Sequence, residues 1–395
     1  MKRAVLTASA ILALIVLVLL VIQSQSPPSL PATATPTISV LSEIVRESLT
    51  IDLGDFETKA ELTYPANNDG GSPTIILLHG SAAADMDYTR YSSWGERALL
   101  SHNFLDIANY LTPRGFAVLR FNKHYVSGPQ EVDWEKFSHN ITLQLLLEDA
   151  EKVLVAAKAN PHVDSEHIFI LGWSEGSLTG AALSAQHPEL AGLILLGPVT
   201  LPFRDVETSQ VLNVGIPYLR SLSPDGRVTR EIIEIATMGS GGEIAKGVIW
   251  YFLDHAAAER GNIVINADLD QNGDGAISID DEFLPALDEL LNIEFGGANI
   301  YAAENALPST TQQATNIKVP VLILQGENDA ATAEKDVYRL EQALKSAGHL
   351  DYQLMIYPGL GHSLGPANSL INDNFRPIDQ HPLEDLLKWL RDHSR

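Results

Sequence analysis

The chain has 395 residues, of which 45% are hydrophobic, so it is long enough to bury one large core or two modest ones. Its 50 acidic and 26 basic residues give a net charge of −24, and such a surface repels phosphate backbones, which excludes nucleic acid as a partner. The absence of cysteine excludes disulfides, thiolate metal ligands and a cysteine nucleophile.

The N-terminal part of the chain predicts export. Lys2 and Arg3 precede an apolar run that ends at Ile22, which suits a signal peptide and just reaches the length of a membrane span. We predict a membrane anchor or signal peptide at residues 1–22 and a flexible Pro/Ser/Thr linker at residues 23–37. The remainder is expected outside the cytoplasmic membrane, anchored to it if the segment is uncleaved and secreted if it is cleaved.

Apolar runs that alternate with helical patterns predict an α/β fold with a mostly parallel sheet and helices on both faces. In chain order, one or two edge strands are predicted at 48–64, and further strands at 74–78, 116–121, 168–171, 192–196, 319–324 and 352–357. Helices are predicted at 105–111, 142–159, 177–186, 333–347 and 383–392. The alternation stops in the middle of the chain, so we predict a core of 38–198 and 318–395 that carries a largely helical cap insertion at 199–317.

The stretch Gly172-Trp173-Ser174-Glu175-Gly176 has the pattern G-x-S-x-G between a predicted strand and a predicted helix. The two glycines permit a tight turn from which the serine hydroxyl can project. Chance alone supplies such a pattern often, but the strand and helix around it favour Ser174 as a nucleophile.

A serine nucleophile needs a base and a third group that orients the base. In this architecture they follow in the order Ser, Asp or Glu, His, each in a loop after a strand. Asp329 follows the predicted strand at 319–324 and is our orienting acid, with Glu327 as a rival closer to the strand end. His362 follows the strand at 352–357 and is our general base.

Two backbone N–H groups are predicted to form an oxyanion hole. One belongs to Glu175, directly after the nucleophile. The other belongs to Ser81 in the loop after the strand at 74–78, with Ala82 as the alternative. His79 in the same loop fits a structural hydrogen-bonding role.

Together these motifs resemble the α/β-hydrolases, and more narrowly the esterases grouped with dienelactone hydrolases and prolyl-oligopeptidase-like catalytic domains. The matching stretches are Leu78–Ser81, Gly115–Phe121, Gly172–Gly176, Gly326–Asp329 and Gly361–His362. The resemblance implies an α/β-hydrolase sheet and serine-dependent hydrolysis of an acyl bond through an acyl-enzyme, with no cofactor for catalysis. Residues 122–128 depart from it, because a short, basic, glycine-rich segment is usual there and this one is bulkier.

The acidic loop at 270–281, inside the predicted cap, matches the ligand spacing of an EF-hand calcium loop. Its oxygen donors suit Ca²⁺ rather than zinc. The predicted ligands are Asp270, Asn272, Asp274, the Ala276 carbonyl, Ser278 through water, and Asp281. Asp281 stands where a bidentate Glu is usual, and Glu282 follows it. The segment before the loop reads as a strand, so the resemblance is to the loop and not to a complete EF-hand, and we expect a structural Ca²⁺ that rigidifies the cap.

The sequence therefore predicts an exported serine hydrolase that cleaves carboxylic esters of small molecules. A serine peptidase of the prolyl-oligopeptidase-like type, acting on short peptides, stays open as an alternative. A non-catalytic calcium-dependent surface binding protein is a further alternative, against which the complete set of three catalytic side chains argues. The oligomeric state is unknown from the sequence.

Overall fold

The computed structural model describes residues 41–395 apart from four short gaps, at 68–69, 95–96, 298 and 303–304. The predicted anchor and linker, residues 1–22 and 23–37, lie outside the described residues. Across the described part of the chain, no helix is both long enough and apolar enough to span a membrane.

Eight strands form the central sheet. Their bounds are β1 Ile44–Asp52, β2 Glu57–Pro65, β3 Ser72–Leu78, β4 Ala117–Phe121, β5 Val163–Trp173, β6 Gly192–Leu196, β7 Val321–Gly326 and β8 Tyr352–Tyr357. They lie in the order β1-β2-β4-β3-β5-β6-β7-β8. β2 pairs antiparallel with β1 and β4, and the other neighbours pair in parallel, which confirms the predicted mostly parallel sheet. The predicted edge strands at 48–64 are the β1–β2 hairpin.

Helices connect the parallel strands before the insertion. They are α1 Asn103–Leu111, α2 Trp134–Asn140, α3 Leu143–Ala159 and α4 Gly176–Gln186. α3 begins where the sequence predicts, because the Thr142 side chain accepts a hydrogen bond from the Leu145 N–H and caps the first turn.

The insertion predicted at 199–317 folds into short helices around an apolar cluster of its own, which includes Leu219, Ile249, Phe252 and Phe283. Its α-helices are α5 Phe203–Gln210, α6 Ile216–Leu222, α7 Arg230–Met238, α8 Glu243–Gly247, α9 His255–Ala258, α10 Leu284–Glu294 and α11 Thr310–Gln313. Irregular helical turns occur at 112–114, 211–215, 248–252, 279–283 and 370–372, and short strand pairs at 89–91 with 99–102, 126–128 with 131–132, and 227–229 with 276–278.

After the insertion the alternation resumes with α12 Glu334–Ser346, β8 and α13 Gln380–His393. Successive strand residues point to opposite faces of the sheet. Ile76 accordingly packs in a cluster with side chains of α3, α4 and α12, whereas its neighbour Ile75 packs in a second cluster with side chains of α1 and α13. Both faces of the sheet are thus covered, which is why its strands read as continuous apolar runs.

Candidate active site

Ser174 occupies a strained corner between β5 and α4. Its backbone φ is +52°, a left-handed conformation that costs a non-glycine residue about 1–3 kcal/mol. The flanking glycines are required by space: a Cβ at Gly172 would lie 2.4 Å from the Gly176 oxygen, and one at Gly176 would lie 2.4 Å from the Leu78 oxygen. The turn therefore has the geometry that projects a nucleophile from the end of a strand.

His362 and Asp329 meet at the C-terminal ends of β8 and β7. His362 Nδ1 lies 2.9 Å from Asp329 Oδ2, and both side chains are buried. A proton donated from Nδ1 leaves Nε2 as the acceptor, which is the tautomer a general base needs. The rival carboxylate of Glu327 is exposed and accepts the Gly359 N–H at 3.0 Å instead, so the structure brings Asp329 and not Glu327 to the histidine.

Four further hydrogen bonds hold the Asp329 carboxylate. Oδ1 accepts the N–H groups of Ala331 and Thr332 at 2.9 and 2.7 Å. Oδ2 accepts the Thr332 hydroxyl and Gln325 Nε2, each at 2.9 Å. These donors fix the orientation of the carboxylate, as an acid that steers a histidine requires.

A second buried carboxylate, Asp373, supports the histidine loop. Its Oδ2 accepts the backbone N–H groups of His362 at 2.8 Å and Ala330 at 3.1 Å. Burial and the negative charge of Asp329 raise the pKa of Asp373 to about 6. This residue was missed at the level of sequence, because it lies in a stretch without regular structure and no local pattern marks it.

Ser174 and His362 line the same cavity, of about 280 Å³. Ser81, Tyr88 and Tyr301 also line it. Gly197 packs against the histidine ring, where a Cβ would lie 2.8 Å from His362 Nδ1. Ser174 and His362 therefore share a cavity, and Asp329 is hydrogen-bonded to the histidine.

The predicted oxyanion loop lies against Ser174. A Cβ at Gly80 would lie 3.1 Å from the Ser174 Cβ, and the next residue, Ser81, lines the cavity. In the part of the chain that the structure describes, the N–H groups of Ser81 and Glu175 donate to no other protein group. Their role as oxyanion donors stays a prediction.

Lys123 joins this loop to the turn at Gly172–Gly176, here called the elbow, a role that no sequence motif assigns to it. Its Nζ donates to the carbonyls of Gly80 at 3.0 Å and Ala82 at 3.1 Å, and to Glu175 Oε1 at 2.6 Å. The only sequence signal was the unusual bulk of residues 122–128. Within the described residues, no side chain of residues 122–128 lines the cavity with Ser174. Lys123 is buried beneath the loop.

Tyr301 brings the insertion onto the elbow. Its hydroxyl donates to the second oxygen of Glu175 and hydrogen-bonds with the Ser81 side chain, and its ring stacks on Phe203 at 3.7 Å between centroids. Burial and the Glu175 charge raise the pKa of Tyr301 well above its ordinary value, so the phenol keeps its proton. One wall of the cavity therefore comes from the insertion.

His79 has a structural environment. Its Nε2 donates to the Asp85 carbonyl at 3.0 Å, and its ring packs against Phe104 and Phe121. Burial and the nearby Lys123 charge lower the pKa of His79 to about 3, so the ring is neutral.

The predicted ligand side chains of the loop at 270–281 accept N–H groups of the loop itself, and Asp274 also forms an ion pair of 2.9 Å with Arg227 outside it. Asp270 accepts the N–H groups of Asp274 and Gly275 at 3.1 and 3.0 Å, and Asn272 Oδ1 accepts the Asp274 N–H at 2.9 Å. Asp274 also accepts the Ala276 N–H at 3.1 Å. In the part of the chain described, no three acidic or histidine side chains are grouped so that they could hold a metal ion.

The carboxylate that faces this loop is Glu282, one residue beyond the predicted ligand Asp281. Glu282 is buried and accepts N–H groups from Gln271 at 3.0 Å, Asn272 at 3.3 Å and Ser278 at 2.7 Å. Asp281 instead accepts the Ser278 hydroxyl at 3.1 Å. The irregular turn at 279–283 shifts the helix start, and spacing alone does not reveal that shift.

Comparison with known proteins gives two matches in sequence. The Dienelactone hydrolase family matches residues 292–393, about a quarter of the chain, which hold Asp329 and His362 but not Ser174. Esterase EstD of Thermotoga maritima is 29% identical over 163 residues, or 41% of this chain. The matched segment spans 34% of the length of that relative.

Solved structures resemble a larger part of the chain. Proline iminopeptidase of Mycobacterium smegmatis has a TM-score of 0.51 and 18% identity, covering 88% of this chain and 98% of its own. VinJ has a TM-score of 0.52 and 16% identity, covering 88% of this chain and 99% of its own. At such identities the likeness concerns the fold alone. The strand order, the layers of helices and these neighbours show that the chain has the α/β-hydrolase fold.

Proposed function

We propose that the protein is a serine hydrolase that cleaves carboxylic esters of small molecules outside the cytoplasmic membrane. The observation that carries the proposal is the hydrogen-bonded pair of His362 and Asp329, whose histidine opens on the same cavity as the strained Ser174. A turn with no catalytic role would not need a serine in a strained left-handed conformation beside a histidine–aspartate pair. The strain at Ser174 is therefore best explained by a role in catalysis.

The geometry supports acyl transfer in two steps, which are acylation of Ser174 and hydrolysis of the acyl-enzyme. His362 Nε2 takes the proton as Ser174 Oγ attacks the ester carbonyl, and the N–H groups of Glu175 and Ser81 stabilise the oxyanion. His362 then protonates the leaving alcohol, which departs and leaves an acyl-enzyme. Water attacks this ester with His362 again as base, and the acid is released. Throughout, Asp329 accepts the hydrogen bond from the His362 Nδ1–H. This bond keeps the proton on Nδ1 and fixes the orientation of the ring.

An ester is favoured over a peptide as substrate by the match to an esterase and to the Dienelactone hydrolase family. The shape of the site suits a substrate with an apolar group. Glu207, Gln210, Ile244 and Glu294 line both the catalytic cavity and a second cavity of about 530 Å³ in the insertion. Apolar side chains, including those of Val248, Trp250 and Leu290, line much of this second cavity.

Labelling with a serine-directed fluorophosphonate, followed by a panel of nitrophenyl esters and peptide anilides, tests the proposal. We expect labelling of the folded protein and faster turnover of esters than of anilides. Faster turnover of anilides would identify a peptidase of the same mechanism. A folded protein that neither labels nor turns over either class would leave the non-catalytic binding protein as the function.

Export rests on the composition of residues 1–37. Cell fractionation of the full chain should place it in the membrane or outside the cell, and deletion of residues 1–37 should move it to the cytosol. Recovery of the full chain in the cytosol would contradict export.

Calcium binding in the insertion stays a proposal, supported by the spacing of oxygen donors at Asp270, Asn272 and Asp274. The facing carboxylate of Glu282 makes a sharper test than chelation alone. We expect millimolar Ca²⁺ to raise the melting temperature of the wild type and of Asp281→Asn, but not of Glu282→Gln. The increment on adding Ca²⁺ is the readout, because Glu282→Gln also weakens hydrogen bonds in the loop. An unchanged melting temperature of the wild type with Ca²⁺ or chelator would refute calcium binding.

A further inference from the structure

We infer that Lys123 is a positioning residue that aims the oxyanion-hole N–H of Ser81, an inference that rests on the proposed hydrolase function. Its ammonium has three protein acceptors, which are two carbonyls of the oxyanion loop and the carboxylate of the residue after the nucleophile. An ammonium has three protons, so this environment satisfies it completely.

The peptide plane explains how a carbonyl contact can aim an N–H. In a trans peptide the C=O of one residue and the N–H of the next lie in one plane and point in opposite directions. The bond from Lys123 Nζ to the Gly80 carbonyl therefore fixes the direction of the Ser81 N–H, away from the lysine. Ser81 lines the cavity that holds Ser174, so this N–H belongs to a residue of the cavity wall.

The loop needs such a restraint because its backbone is strained. Ala82 has φ +68°, a left-handed conformation that a non-glycine residue adopts at a cost. Its carbonyl is the second acceptor of Lys123, at 3.1 Å. Lys123 thus holds the two carbonyls that flank Ser81, and without it the loop is free to relax by rotating these peptides.

The third contact joins the two halves of the oxyanion hole. Lys123 and Glu175 form an ion pair of 2.6 Å with side chains only 4% and 1% exposed. A buried ion pair of this kind gives little net stability, but it fixes relative positions, because either charge left alone is strongly unfavourable. Since the Glu175 N–H is the other predicted donor, the pair sets the separation between the two N–H groups.

The test removes both charges together. Lys123→Met alone leaves the Glu175 carboxylate buried and is expected to destabilise the protein. The double variant Lys123→Met/Glu175→Gln is neutral and of similar volume, and the amide oxygen of the new glutamine still accepts the Tyr301 hydroxyl. We expect it to melt within a few degrees of the wild type, with a nearly unchanged KM for a nitrophenyl ester and a kcat about 10- to 100-fold lower. Hydrogen exchange of the peptide covering 79–84 should become faster.

Two further variants fix the interpretation. The exposed ion pair of Lys158 and Glu189 offers the matched control Lys158→Met/Glu189→Gln, which should leave kcat and exchange unchanged. Lys123→Gln/Glu175→Gln keeps a side-chain amide at position 123 that can donate to the loop. It should therefore lose less activity than Lys123→Met/Glu175→Gln, and it is the second test if that variant fails to fold.

A wild-type kcat in the neutral double variant would show that Lys123 only neutralises Glu175, and would overturn the inference. A raised KM with unchanged kcat, or a lower kcat without faster exchange at 79–84, would overturn it as well. Failure of the proposed function is distinct, because it appears as a wild type that turns over no ester, and the exchange measurement still tests Lys123 in that case.

Discussion

Replacement of Ser174 by alanine is expected to lower kcat for a nitrophenyl ester by about 10⁵-fold or more and to abolish fluorophosphonate labelling. In the proposed mechanism Ser174 Oγ is the atom that forms the acyl-enzyme, and alanine has no nucleophile to replace it. Alanine has the same difficulty as serine at φ +52°, so the melting temperature should change little. Steady-state kinetics, intact-mass labelling and thermal unfolding of the two proteins provide the measurement.

Ser184 provides the matched control for this substitution. It is buried in α4, the helix that begins at the elbow, and its hydroxyl has no hydrogen-bond partner in the described part of the chain. Ser184→Ala therefore removes a buried hydroxyl from the far end of the same helix without removing a hydrogen bond, and activity and labelling should remain. A Ser174→Ala protein that is folded and retains kcat within about tenfold of the wild type would refute Ser174 as the nucleophile.

Much of the fold could be predicted because the sheet is buried on both faces. β6 and β8 have the predicted bounds, and β3 and β5 enclose theirs. Such strands are visible as unbroken apolar runs, since every side chain along them packs against helices. The elbow could be predicted for a different reason. A side chain at Gly172 or Gly176 would clash with backbone atoms, so five consecutive residues are enough to mark the turn.

The insertion could be recognised in the sequence only because the alternation of predicted strands and helices stops there. Its α8, α9 and α11 are four or five residues long, which is too short for a helical period to appear in the sequence. Two irregular turns, at 211–215 and 279–283, further shift the register of the helices that follow. Loop spacing likewise indicates Asp281, whereas the next residue, Glu282, is the carboxylate that accepts N–H groups of the loop.

The supporting residues of the site could not be predicted because they act across long sequence distances. Lys123, Tyr301 and Asp373 reach the elbow or the histidine loop from three separate parts of the chain. No spacing rule connects them to Ser174 or His362, whereas the order of nucleophile, acid and base follows from the strand order. The groups proposed to react are therefore visible in the sequence, and those that hold them are not.

The choice between Asp329 and Glu327 yields the second large prediction. Asp329→Asn is expected to lower kcat by about 10³- to 10⁴-fold at neutral pH. The reason lies in the hydrogen bonds of the carboxylate. Oδ1 accepts two backbone N–H groups, so an asparagine must place its oxygen there and its NH₂ at the position of Oδ2. The NH₂ then faces His362 Nδ1, which must become an acceptor, and the proton moves to Nε2, where the base is needed.

Glu327→Gln is the matched control, because among the described residues this exposed carboxylate accepts only the Gly359 N–H, and an amide oxygen can replace it. We expect kcat within about twofold of the wild type, in line with the small effects of exposed substitutions. The readout that separates a tautomer effect from unfolding is the retention of the melting temperature and of KM in Asp329→Asn while kcat falls. If Glu327→Gln loses activity and Asp329→Asn does not, the acid of the site is Glu327 and the hydrogen bond between Asp329 and His362 serves the fold alone.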